Sequence, residues 1–250
     1  MSVNHVFPEQ AMKIVSTTVT MLLSLSITLL LAAFAHGETA VPLEPIQRDD
    51  PQKMLEQATH QLLDISRAAR AYADTDKERY YAAVSPVLDQ VMDIDYFAKG
   101  VMATYASARL YKSLQTDAER AAFRDRLERF KTALKRVWMV KYADAVLSFK
   151  GERIELAPLD TGDNSADRSS VEQTVHDEDG KTYVIQYSLH KVKDGSWMVS
   201  NVIVEHVNLG LTYRDQFAES VENHKGDVDY VVDHWIDIML HAKSSGSSGE

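Results

Sequence analysis

The stretch Trp197–Phe217, WMVSNVIVEHVNLGLTYRDQF, decides how the chain is read. Its first half alternates as a strand, with Trp197, Val199 and Ile203 on one face and Met198, Val202 and Val204 on the other. A strand that is apolar on both sides is expected to be buried on both faces. A short joint at Asn208-Leu209-Gly210 then leads into a helix that opens with Leu211-Thr212-Tyr213-Arg214 and reaches Phe217. One cation and two aromatic rings therefore stand where a buried strand meets a helix start.

Working upstream, the pattern remains that of strands. Ile154-Glu155-Leu156 alternates, Thr161–Ser169 is a polar loop, and Ser170–Asp177 reads as a second strand. Asp179-Gly180 is a two-residue hairpin signal. The third strand, Lys181–Val192, puts Tyr183, Ile185, Tyr187 and Leu189 on one face, and Asp194-Gly195 turns the chain into Trp197–Glu205. The result is an antiparallel meander of about four strands. Downstream, Leu211 to about Lys225 and Asp227 to about His241 read as two closing helices, with Gly226 between them as a C-cap.

The N-terminal half is helical. Asp50-Pro51 supplies a cap and a proline suited to the first helical position. Met54, Ala58, Leu62, Ile65, Ala69 and Tyr72 recur at helical spacing, which predicts a helix to about Ala73. A second helix runs from about Asp76, with a break or kink expected at Pro86. A third follows Asp93 or Asp95, with Phe97, Val101 and Tyr105 on its apolar stripe. Thr116-Asp117-Ala118-Glu119 is a capping box that opens the longest helix, to about Val146. Phe123, Leu127, Phe130, Leu134 and Val137 form the apolar stripe of that helix, and Tyr142 falls near its end. Helices, then a sheet, then helices describe an α+β domain over residues 51–242, with helices packed on one face of an antiparallel sheet.

The chain has 250 residues, is 45% hydrophobic and 26% charged, and carries a formal charge of −10. That acidity argues against nucleic-acid partners, which call for a basic footprint, and against broad adsorption to anionic membranes. With no cysteine there is neither a disulfide framework nor a thiolate metal site. Lys13, the apolar run Met21–Phe34 and the small-x-small motif Ala33-Phe34-Ala35 read as a secretory signal peptide over residues 1–35. Met12, directly before Lys13, is the better start. The run from Ile14 to Phe34 is also long enough for a membrane anchor, although its Ser and Thr residues and the A-x-A ending favour cleavage. Residues 36–50 read as a flexible leader and residues 243–250 as a disordered tail. An exported, acidic, cysteine-free protein fits a bacterial periplasm.

The segment Trp197–Phe217 resembles the signature of the periplasmic phospholipid-shuttle family, the MlaC-like or toluene-tolerance proteins. In that family a W-x-V-x-x-V-x-V-E strand runs into an N-Y-R-x-x-F helix. Trp197, Val199, Val202, Val204, Glu205, Tyr213, Arg214 and Phe217 match it. The resemblance extends over about residues 50–242. It departs at Met102-Ala103-Thr104-Tyr105 and at His206-Val207-Asn208, where many members carry glycine-containing sequences. It implies a curved sheet backed by helices with an apolar cavity between the layers. It further implies diacyl phospholipid as cargo rather than a cofactor. The implied partners are an outer-membrane lipoprotein complex and an inner-membrane ABC lipid transporter complex bearing a mammalian-cell-entry domain, and the implied role is maintenance of outer-membrane lipid asymmetry.

Catalytic signatures are missing from the sequence: it has no cysteine nucleophile, no G-x-S-x-G elbow, no H-E-x-x-H and no phosphate-cradling glycine loop. The histidines are scattered, so no metal ligands are expected. The stripes Phe97/Val101/Tyr105, Phe130/Leu134/Val137 and Tyr183/Ile185/Tyr187/Leu189 are, taken singly, ordinary core. With the resemblance they become candidate acyl-chain contacts, together with Val204, Phe217 and the amphipathic Tyr142 and Tyr213 at a cavity mouth. Arg214 is either near the headgroup or in a surface ion pair with Asp215 or Glu219. Two acyl chains carry on the order of 28 methylenes, so leaving a bilayer for water costs roughly 20 kcal/mol. Transit between membranes therefore needs a carrier whose cavity is nearly as apolar as the bilayer. Selectivity for the headgroup, left near water, is expected to be weak. An enzyme on the same scaffold, or a periplasmic chaperone with an exposed apolar groove, are the alternatives.

Overall fold

The computed structural model describes residues 43–149, 153–160, 162 and 164–241. The expected export signal with its alternative start at Met12, the leader up to residue 42 and the tail from residue 243 lie outside the described residues. Helix α1 spans Pro51–Ala69, with Asp50 accepting from the Lys53 amide as its cap. The end of the expected leader is tied into the fold. Ile46 is buried, its amide donates to Gln90 Oε1 at 2.9 Å, and the Trp197 amide donates to the Arg48 carbonyl at 2.7 Å.

Helix α2, Lys77–Val91, does not break at Pro86 but runs on through it. The carbonyl that loses its partner to Pro86 belongs to Ala82, an exposed residue that water can serve. Helix α3, Ile94–Met102, is capped by Asp93, and α4, Ala108–Ser113, by Ser107. The Thr116–Glu119 box is formed in both directions and opens α5, Asp117–Trp138.

Beyond Trp138 the helix widens into a π segment, Met139–Ala143, before α6, Asp144–Ser148. Continued at α-helical spacing, the stripe Phe130/Leu134/Val137 would next present Lys141. The extra residue of a π turn presents Tyr142 instead. Tyr80 of α2 supports this segment. Its buried hydroxyl donates to the Ala143 carbonyl at 2.9 Å and lies 3.0 Å from Ser66 Oγ.

Among the described residues the sheet has five strands in the order β1-β2-β3-β4-β5, one more than expected. They are β1 Arg153–Pro158, β2 Arg168–His176, β3 Thr182–Lys191, β4 Trp197–Val204 and the two-residue β5 Val207–Asn208, all antiparallel to their neighbours. The expected hairpin turn is present, with Gly180 at φ 75°.

In β4 the faces differ from those that simple alternation predicts. Tyr187 pairs with Val202 and Leu189 with Val199, so one residue of β4, Ser200, is left over beside the register shift at Ser188/Leu189. This bulge reverses the alternation. Trp197, Val199, Val202 and Val204 share the inner face, whereas Met198, Asn201 and Ile203 take the outer one. The inner face continues through Tyr183, Ile185, Tyr187 and Leu189 of β3, then Val171, Gln173 and Val175 of β2, then Ile154 and Leu156 of β1. The outer face mixes Glu172, Thr174, Gln186 and Ser188 with Val184, Met198 and Ile203, so the inner side is the more apolar one.

Helix α7, Leu209–Asn223, starts immediately after β5. Asn208 caps it by accepting from the Leu211 amide, and Asn201 accepts from the Gly210 amide at 3.1 Å. A Cβ on Gly210 would lie 2.6 Å from Asn201 Oδ1, so a larger residue here would push the Asn201 side chain off the Gly210 amide it accepts from. The last expected helix is split into α8, Val228–Asp233, and α9, Trp235–His241. At the join the His234 ring donates to the Tyr230 carbonyl at 2.8 Å, alongside its own amide at 3.0 Å.

Candidate functional site

Most of the sequence-derived candidates fall into two groups, which meet at Leu189. Phe97 and Val101 of α3, Phe130, Leu134 and Val137 of α5, Leu189 of β3 and Tyr213 and Phe217 of α7 are all buried. Their rings interlock. Phe97 meets Trp138 at 4.8 Å, and Phe130 meets Phe217 at 5.0 Å and Trp235 at 5.4 Å. Tyr105 lies 6.0 Å from Phe217 at the margin of this cluster. Edge-to-face packing of this kind is what holds α3, α5, α7 and α9 together.

The second group lies on the inner sheet face, where cover thins toward the β2–β3 hairpin. Leu189 is 2% exposed, Tyr187 and Ile185 are half-buried, and Tyr183 is 40% exposed. Val204, opposite Ile185, is half-buried as well. Where this face meets α1 there is a hollow of about 270 Å³. Leu63 of α1, Phe149 after α6, and Ile154 and Leu156 of β1 form its apolar wall, and Gln52, Glu56, His60 and Arg153 give it a polar side.

Thr59 also lines the hollow, and behind it runs a polar chain that the sequence reading missed. Gln173 Nε2 donates to Thr59 Oγ1 at 2.9 Å, and the Tyr187 hydroxyl donates to Gln173 Oε1 at 2.8 Å. Gln173 is 5% exposed. Burial pushes the Tyr187 phenol above its usual range, so it remains a donor. A second hydroxyl pair, Tyr142 with Tyr213 at 3.2 Å, joins the π segment to α7, and burial raises both phenols.

Arg214 points elsewhere. It is exposed, its Nε lies 3.5 Å from Asp215, and it borders a separate hollow of about 190 Å³ formed by Phe97, Gly100 and Val101 of α3 with Gly210 and Leu211 of α7. The two hollows share no lining residue. The structure thus brings Tyr183, Ile185, Tyr187 and Val204 onto one sheet face, but none of the sequence-derived candidates lines the first hollow, whereas Phe97, Val101 and Arg214 border the other.

Among the described residues no group of three or more His, Asp or Glu side chains converges as a metal site. One carboxylate–imidazole pair is buried well enough to invite a catalytic reading. His190 Nε2 lies 2.9 Å from Asp93 Oδ2, while Asp93 Oδ1 accepts from the Tyr96 amide. Both groups are thereby committed to fastening the start of α3 to β3.

The sequence model of the MlaC protein family matches residues 56–237. The chain belongs to the MlaC family. Its relatives include the toluene tolerance protein ttg2D of Pseudomonas putida, which is 28% identical over 209 residues, spanning 84% of this chain and 90% of that protein. The fold is similar to that of a phospholipid-binding protein from Ralstonia solanacearum solved in complex with a phospholipid. That likeness has a TM-score of 0.60 at 15% identity and covers 77% of this chain and 98% of that one. The matched region spans both the helical layer and the sheet and includes every residue lining the hollow beside α1 except Gln52.

Proposed function

We propose that this MlaC-family chain is a periplasmic carrier that takes up diacyl phospholipid between its sheet and its helices and moves it between membrane complexes. The observation that carries this reading is the inner sheet face, apolar from Ile154 to Val204 except at Gln173, whose cover thins along β3 from buried Leu189 to exposed Tyr183. The Ralstonia solanacearum protein of similar fold, named for phospholipid binding, supports the same cargo.

The size of the hollow sets how binding proceeds. If a methylene takes up the ~30 Å³ share of a liquid water molecule, the roughly 28 methylenes of two chains need on the order of 800 Å³. The hollow offers about 270 Å³. Entry of two chains therefore requires the α1 side of the helical layer to part from the sheet, starting at the hollow. Apolar area exposed by that parting is covered by the chains, which return about 0.8 kcal/mol for each buried methylene. The cavity becomes as apolar as the bilayer only when occupied, so the lipid stays exchangeable.

On this reading the protein is not an enzyme. Its partners are an outer-membrane lipoprotein complex and an inner-membrane ABC transporter with a mammalian-cell-entry domain, which supplies the energy. Transfer between vesicles tests the carrier step. Purified protein should move a labelled phospholipid from donor to acceptor vesicles at a rate proportional to protein concentration. Movement no faster than in buffer would refute it.

A further inference from the structure

We propose that Thr59, Gln173 and Tyr187 form a polar station inside the acyl cavity that receives the ester carbonyls of the cargo, so that this carrier selects ester-linked over ether-linked diacyl lipids. The inference rests on the carrier reading above and adds a determinant of chemical class to it.

Gln173 is out of keeping with its surroundings. It occupies an inner-face position between Val171 and Val175 on β2, and its cross-strand partners are Leu156 on β1 and Ile185 on β3. Each of those neighbours is apolar. The side chain is nonetheless buried, with both ends of its amide engaged, by Thr59 on the helix side and Tyr187 on the sheet. The Thr59–Gln173 bond thus crosses the seam between α1 and β2. Thr59 and Leu156 both line the hollow, which places the polar chain directly behind its wall.

Enlarging the hollow to hold two chains separates α1 from β2 at this point and breaks the bond between Thr59 and Gln173. The separation leaves a buried amide N–H donor and a hydroxyl without partners, a costly state once acyl chains exclude water from them. Methylene chains cannot relieve it. Ester carbonyls can, because each is an acceptor for an amide or hydroxyl donor. A diacyl ester lipid carries two of them where its chains join the glycerol. An ether lipid of the same shape lacks both carbonyls. Sites built around a hydrogen bond reject the analogue that cannot make it, because their own polar groups are then stranded. A role confined to packing in the empty protein would make substitutions here lower stability without creating any ester–ether preference.

The test is competition. Purified, delipidated protein is incubated with vesicles holding equal amounts of diester and diether phosphatidylcholine with matched chains, and the captured lipid is quantified by mass spectrometry. The wild-type protein should favour the diester by about tenfold, equivalent to ~1.4 kcal/mol. Gln173→Leu should capture both lipids almost equally, and Tyr187→Phe, which alters shape least, should fall between. If Gln173→Leu fails to fold, the wild-type ratio and Tyr187→Phe still decide. Equal capture of the two lipids by the wild type, or an undiminished preference in a folded Gln173→Leu protein, overturns the inference and leaves the carrier reading standing. Capture of neither lipid by the wild type overturns both.

Discussion

Replacing Ile185 by glutamate tests where the acyl chains lie. Ile185 is half-buried on the inner face of β3, between Gln173 on β2 and Val204 on β4. Full burial of an isoleucine is worth about 1.5–3 kcal/mol, so roughly half of that is lost. Tyr183, two residues nearer the hairpin on the same face, is 40% exposed, which gives a carboxylate at residue 185 a route to water in the empty protein. The expected loss of stability is about 1–2 kcal/mol, which a domain stable by ~5–15 kcal/mol survives. Lipid changes the balance, because chains laid along β3 would force the carboxylate to take up a proton, at a further cost of about 3–4 kcal/mol at neutral pH, rather than bury its charge. Lipid occupancy should therefore fall by tenfold or more. Leu134→Glu is the contrast. Leu134 is fully buried in α5, has no route to water, and forfeits ~2–5 kcal/mol of packing before its charge is considered, so it should not fold. Denaturation midpoints and lipid-to-protein ratios measured on the same preparations separate the two effects. A folded Ile185→Glu protein with a wild-type lipid load would refute the placement of the chains.

Three further outcomes follow from the packing and electrostatics. Phe217→Ala removes the ring shared by Tyr105, Phe130 and Trp235 and should cost about 3–5 kcal/mol in a chemical denaturation experiment. Thr116→Ala breaks the capping box of α5 and should cost about 1 kcal/mol while leaving lipid content unchanged. Hydrogen bonds from Arg126, and then Arg129, hold the Asp229 carboxyl below its usual range, so their contribution to stability is complete above about pH 4 and is lost as pH falls through the folded-state value. In acid denaturation Asp229→Asn should therefore lower stability at neutral pH and flatten the fall below about pH 4. An unchanged acid limb would show that the cluster contributes nothing measurable.

Chemistry that acts within a few residues is plain in the sequence. The Thr116–Glu119 box, the Asp50-Pro51 start, the Asp179-Gly180 hairpin and the matched residues of Trp197–Phe217 are each legible from near neighbours alone. Features that depend on register are concealed. The bulge at Ser200 adds one residue to β4, and because the side-chain period of a strand is two, that single insertion moves Val202 and Val204 onto the face of Val199. The π segment does the same for Tyr142 on a helix. Pro86 is tolerated because Ala82, whose carbonyl it strands, is exposed, and exposure is not legible locally. Arg214 follows from helix geometry. Tyr213 and Phe217, four residues apart, face the core, and Arg214 is turned away from them toward a hollow whose lining includes the bulged Ser200 and Gly210. Gln173 is within reach of sequence reasoning, since parity with Val171 and Val175 places it inward. A glutamine at an inward position between two valines signals either a buried partner or a ligand.

The central claim is that the space between sheet and helices is filled by lipid when the protein works. Organic extraction and mass spectrometry of the protein purified under mild conditions test it most directly. The account predicts diacyl phospholipid at close to one molecule per chain, lost in folded Ile185→Glu. A folded wild-type protein free of lipid, which also takes none up from phospholipid vesicles, would contradict it.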